Sequence, residues 1–398
     1  MYPILMIITL ICQSCSSDNV AFDSSHIETL QPAVNISSEL NLNLNTDKAL
    51  YKPGETVTIT ASGKIPVGAK IRYRHGNDVV TSDNLAGNAW TWTAPSANYT
   101  GYLADVYTQN DDHTETVYGT IAIDVSTDWA KYPRYGFVAT YDGSKTHSVI
   151  QDDISFLNRC HINGIQFYDW HYKHQWPLGG TKGNLMDSYT DIANRTIYTS
   201  VIKDYISTQH AYGMKAMFYN LCYGALDDAK QDGVSEKWHL YDDAGHATMD
   251  KLSMPTGWKS DIYLMDAANE NWQNYIADRN DDVYASLNFD GYHIDQVGDR
   301  GNVYDYYGSK LNLTDGFASF IKKMKTRQLN KSLVMNAVAN FGSQQIAETG
   351  DVDFLYSELW SGESIFSDLL SIMKGNQSYN DSLAQVYAAY MNYNSSKS

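Results

Sequence analysis

Between residues 135 and 390, seven short apolar runs recur with stretches of helical period between them. Alternating strand and helix constrains this chain more than any other feature, because few folds accommodate it. The runs are 135–141, 164–170, 215–220, 289–298, 333–338, 352–358 and 384–390. Helices are expected at 148–160, where Ile150, Ile154 and Leu157 share a face, and at 196–212, where Ile197, Val201 and Tyr205 are spaced four apart and Gly213 ends the pattern. Two more are expected at 268–287 and 314–329, the last packing Phe317, Phe320, Ile321 and Met324. The architecture this predicts is an incomplete (β/α)8 TIM barrel over 128–398, truncated after about its seventh strand.

Before Pro133 the pattern is different. Between 48 and 125, runs such as 56–60, 70–74, 89–93, 102–107 and 119–125 alternate apolar and polar residues. Pro53-Gly54, Gly76-Asn77, Gly87-Asn88 and Asn110-Asp111 punctuate them. Such alternation with frequent turns predicts an immunoglobulin-like β-sandwich over 41–127, so the chain is expected to be multidomain. Residues 16–40, rich in Ser, Asn and Asp, have the composition of a flexible tether. Residues 1–15 hold an apolar stretch suited to a signal or lipoprotein leader, with Cys15 after Ser14 as the lipidation position. Export is expected, either to the bacterial cell surface or periplasm as a lipoprotein or by plain secretion, with membrane contact only through that anchor.

Composition narrows the partners. With 46 acidic against 29 basic residues, the net charge of −17 repels nucleic acid and anionic membrane surfaces. The 31 tyrosines and nine tryptophans supply flat apolar faces with polar edges, on which sugar rings stack. No metal-ligand spacing occurs: His171 and His174 lie three apart without a matching cluster. No cofactor is implied, and a monomer is expected. Cys160 and Cys222 read as buried thiols.

The chemistry concentrates where strands end. Runs two, four and six place Asp169, Asp295 and Glu358 at the C-terminal face of a barrel, where the active sites of such folds lie. Glycosidic hydrolysis needs two carboxyl groups flanking the bond, one ionised and one protonated. Asp295 suits the nucleophile. Glu358, beside Leu359 and Trp360, suits an acid whose pKa is raised by apolar neighbours and like charge.

Four segments together resemble the dextranase family, glycoside hydrolase family sixty-six: Phe167-Tyr168-Asp169-Trp170-His171-Tyr172-Lys173-His174, the run from Gly291 through Asp295 to Gly301, Tyr356-Ser357-Glu358-Leu359-Trp360, and Ala388-Ala389-Tyr390-Met391-Asn392-Tyr393. The resemblance implies a retaining endo-dextranase acting on α-1,6-glucan and releasing isomalto-oligosaccharides. It also implies Asp295 as nucleophile, Glu358 as acid/base and Asp169 as a carboxylate of the innermost sugar subsite. Family members complete an eighth strand and add a C-terminal β domain. The missing insertion of the kind carried by cyclising members favours hydrolysis over cyclic products. The alternatives are a cyclising glucanotransferase and a surface lipoprotein that binds α-glucan without cleaving it. Further candidates for substrate contact are Tyr168, Trp170, His171, His174, Asn336 and Trp360. His293 is expected behind the site, and Asp299 with Arg300 as a structural pair.

Overall fold

The computed structural model describes residues 42–111, 114–360 and 365–389. The leader with Cys15 and the tether lie outside them. The seven barrel strands are Tyr135–Val138, Gly164–Phe167, Lys215–Leu221, Gly291–Asp295, Ser332–Val338, Leu355–Leu359 and Gln385–Ala389. They pair side by side in sequence order, every pair parallel. The sheet curls almost closed: Tyr135 on the first strand meets Phe354 and Tyr356, at the start of the sixth, edge to face at 5.4 and 5.9 Å across the interior. Met217, Val334 and Val386 fill the same interior layer. The result is a TIM-barrel-like domain.

Helices α1 (His147–Arg159), α2 (Thr199–Ala211), α3 (Glu270–Ser286), α4 (Leu313–Arg327), α5 (Ser343–Glu348) and α6 (Phe366–Tyr379) occupy the six crossovers. Thr146, Asn269 and Asn312 cap α1, α3 and α4 by accepting backbone N–H groups of the first turn. Tyr292 and Ile294, facing outward on the fourth strand, are wholly buried beneath these helices with Phe317 and Phe320. Asp295 and His293 therefore face inward, since side chains alternate along a strand.

The N-terminal part holds seven antiparallel strands in two sheets: Asn43–Thr46, Thr56–Ser62 and Ala89–Thr93 form one, and Asp78–Asn84, Lys70–His75, Thr100–Gln109 and Glu115–Val125 form the other. Trp92 of the first sheet stacks flat on Tyr73 of the second at 4.3 Å, over a common core that includes Val57, Ile59, Ile71 and Ile123. This core is separate from the barrel's, yet the two parts touch. Asn158 of α1 donates to the Thr46 carbonyl at 2.6 Å, buried, and the Ala49 N–H donates to the Tyr212 carbonyl at 2.9 Å.

Two thiol expectations separate here. Cys222 is buried, whereas Cys160 is exposed, because it is the C-cap of α1 rather than part of its inward stripe. No described helix is long and apolar enough to cross a membrane.

Candidate active site

The parallel register brings the carboxylates to one end of the barrel. Leu221 lies opposite Asp295, and Val338 opposite Glu358. Above them opens a cleft of about 850 Å³, lined by Tyr168, Asp169, His174, Asp295, Asn336, Glu358 and Trp360 among others. The long excursion after the third strand supplies an apolar wall of Leu252, Met254, Trp258 and Ile262.

At its floor one side chain joins two carboxylates. The Asn336 amide Nδ2 donates to Asp295 Oδ1 and to Glu358 Oε2, each at 2.9 Å. Two carboxylate acceptors fix which side of the amide is NH2, since only that side can donate. A nitrogen 2.9 Å from both oxygens holds them no more than about 5.8 Å apart. That is short of the ~6.5–9.5 Å of an inverting pair and compatible with the ~5–5.5 Å of a retaining one.

Asp295 also accepts from Tyr219 Oη at 2.8 Å. Burial, and then the negative charge of Glu358, push its carboxyl up to about 7, while Tyr219, Asn336 and the Gln296 N–H pull the other way by bonding the ionised form. Asp295 is thus the carboxyl that burial and a like charge raise together. Two like charges this close disfavour double ionisation, so the pair is suited to share one proton near neutral pH.

Of the other sequence candidates, Tyr168, Asp169, His174, Asn336 and Trp360 line the cleft. Trp360 is 52% exposed. The Tyr168 ring lies 4.7 Å from that of Tyr219. His174 bonds Asn220 Oδ1 through Nδ1 at 2.8 Å, and burial pushes its ring down to about 4, so it is neutral. Trp170 and His171 do not line the cleft. Asp169 has a left-handed backbone, φ 51°, which ends the strand alternation. Trp170 then turns into the core and donates to the Tyr219 carbonyl at 3.0 Å. His171 is fully buried against His174, ring centroids 4.3 Å apart, and neither of its ring nitrogens has a partner among the described residues.

Two smaller expectations are corrected. His293 shares the face of Asp295 two residues on and lines the cleft floor, stacked on Tyr135 at 5.6 Å. Arg300 pairs with Asp250 rather than Asp299, whose carboxylate accepts the Gly301 N–H in a local turn. Sequence reasoning missed Tyr219 and Arg195. Tyr219 carried a usable signal, a polar-tipped aromatic near the end of an apolar strand. Arg195 carried none, lying in an irregular excursion far along the chain from Asp169, which its Nη2 contacts at 2.6 Å.

Comparison with known proteins is consistent with this geometry. The model of Glycosyl hydrolase family 66 matches residues 46–398. Two cycloisomaltooligosaccharide glucanotransferases of Niallia circulans are 32% and 31% identical to this chain, over 87% of it and 38% of each relative. A dextranase of Streptococcus salivarius is 22% identical over 77% of this chain and 40% of that protein. A crystal structure of a Paenibacillus sp. cycloisomaltooligosaccharide glucanotransferase complexed with cycloisomaltoheptaose superposes with a TM-score of 0.79 at 31% identity, covering 89% of this chain and 54% of that one. The chain thus spans about two-fifths of the length of these curated relatives.

Proposed function

The chain belongs to glycosyl hydrolase family 66, and from that premise we propose that it cleaves α-1,6-linked glucan by a retaining double displacement, with Asp295 as nucleophile and Glu358 as acid/base. The observation that carries this is the single Asn336 nitrogen bonded to both carboxylates, which sets their spacing. In the first step a carboxylate oxygen of Asp295 attacks the anomeric carbon and the glycosidic C–O bond breaks. The departing oxygen takes the proton of Glu358, leaving a glycosyl ester on Asp295. In the second, Glu358 takes a proton from an acceptor hydroxyl as that oxygen attacks the same carbon, and Asp295 leaves as a carboxylate. Its ionised form is received by Tyr219 and Asn336.

The acceptor decides the product. With water the outcome is endo-dextranase activity releasing isomalto-oligosaccharides, the outcome we favour. With the far end of the same glucan it is a cyclic product, and the higher identity to the glucanotransferases than to the dextranase speaks for that branch. Both share the first step. Incubation with dextran followed by mass analysis separates them, because a cyclic product is one water lighter than its linear counterpart. Glucan binding without any product, unchanged by Glu358→Gln, would leave a non-catalytic glucan-binding protein and overturn the proposal.

The same proposal covers the rest of the chain. The two-sheet N-terminal part is taken as an immunoglobulin-like domain over 41–127 ahead of a catalytic domain over 128–398. Export through the apolar leader is proposed from its composition, with Cys15 lipidated. Membrane-fraction retention in the bacterial host that is lost in Cys15→Ala supports the anchor, and release of both proteins into the medium argues for plain secretion.

A further inference from the structure

Resting on that function, we propose that Arg195 is the positioning residue that fixes the Asp169 carboxylate in the cleft and favours its ionised form, so that Asp169 is ready to accept hydrogen bonds from the sugar bound beside Asp295.

Asp169 follows the second strand in a left-handed conformation, φ 51°, which costs a non-glycine residue free energy unless its surroundings hold it there. Its carboxylate accepts from Arg195 Nη2 at 2.6 Å. Arg195 is itself anchored twice to Asp191, a carboxylate with no solvent exposure: Nε donates to Oδ2 at 2.6 Å, and the backbone N–H donates to Oδ1 at 2.8 Å. The Asp191 N–H returns a bond to the Arg195 carbonyl at 3.0 Å, closing the loop on itself. The guanidinium is therefore fixed at both its base and its fork. Its side chain remains 47% exposed and lines the cleft, which leaves donor capacity for a ligand.

The chemistry gives this arrangement a purpose. An ionised carboxylate accepts hydrogen bonds from neighbouring sugar hydroxyls, whereas a protonated one loses part of that capacity and turns one oxygen into a donor. Burial pushes Asp169 up to about 6, and Arg195 is the group that opposes it. The other charged or titratable groups that face Asp169 are Asp191, which adds to the upward push, and the phenols of Tyr141 and Tyr219, which burial keeps protonated. Lys259, whose Nζ donates to the Thr190 carbonyl, acts on Asp191, and among the described residues Arg195 is the cation bonded to Asp169. Without it the Asp169 midpoint rises further, so its ionised fraction near neutral pH falls, and sugar binding weakens there but returns as pH rises through the new midpoint.

The test combines a titration with kinetics. Carboxyl carbon NMR of the folded protein, with Asp169→Asn to assign the signal, gives the Asp169 midpoint in wild type, Arg195→Met and Arg195→Lys. The expected result is an upward shift in Arg195→Met that Arg195→Lys largely reverses. On dextran, KM rises in Arg195→Met by about tenfold to a hundredfold near neutral pH, the penalty shrinks at higher pH, and kcat changes less. An Asp169 midpoint unmoved in Arg195→Met, or a KM penalty that is flat with pH, overturns the assignment. The NMR arm needs no turnover, so failure of wild type to cleave dextran would sink the proposed function while leaving the role of Arg195 still decided by the midpoint.

Discussion

Asn336 occupies the position that joins the two carboxylates of the cleft, since its amide donates to both and favours the ionised form of Asp295. The signs of two substitutions follow. Glu358→Gln removes the proposed general acid, with an expected loss of about 10²–10⁴ in kcat on dextran. It also removes the negative charge that pushes Asp295 up, so the Asp295 pKa falls and its ionised form persists to lower pH. Asn336→Ala removes a donor to that ionised form, so the pKa rises instead. The acid limb of kcat/KM, measured with a substrate whose leaving group needs no protonation, is expected near neutral pH in wild type. It shifts to lower pH in Glu358→Gln and to higher pH in Asn336→Ala. Shifts in the same direction would contradict opposite actions of Glu358 and Asn336 on Asp295.

The fourth strand shows how an element delivers a residue. Its first position, Gly291, sits where an added Cβ would lie 2.3 Å from the Ser332 carbonyl and 2.6 Å from Met217 Cε, both on neighbouring strands. Gly291→Ala must push the strands apart, with an expected cost of about 1–3 kcal/mol in urea unfolding and a loss of activity, because Asp295 moves with the strand. All seven barrel strands and the first four helices were legible in the sequence, since their apolar residues keep a period that burial enforces. The short α5 lacks a side-chain cap, and α6 leaves Phe366 and Leu370 exposed, so neither shows a full stripe. The strand Asp78–Asn84 is exposed throughout and was invisible for the same reason. At the site, Asp295, Asn336 and Glu358 were legible because strand ends are local features. Trp170 and His171 were not, because the left-handed turn at Asp169 that redirects them leaves no mark on a non-glycine residue. The Arg195 clamp joins segments that only the fold brings together.

At the scale of the whole molecule, a two-sheet β domain packs against a nearly closed parallel barrel, and the barrel gathers chemistry from the ends of several strands into one cleft. The acidic surface and abundant aromatic residues suit a neutral polymer better than a polyanion. The central claim is that Asp295 and Glu358, spaced by Asn336, act as a retaining pair on α-1,6-glucan. Proton NMR of dextran digestion in its first minutes, before the new reducing ends mutarotate, tests it most directly. The α-anomer appearing first is the predicted result, and the β-anomer appearing first would contradict it.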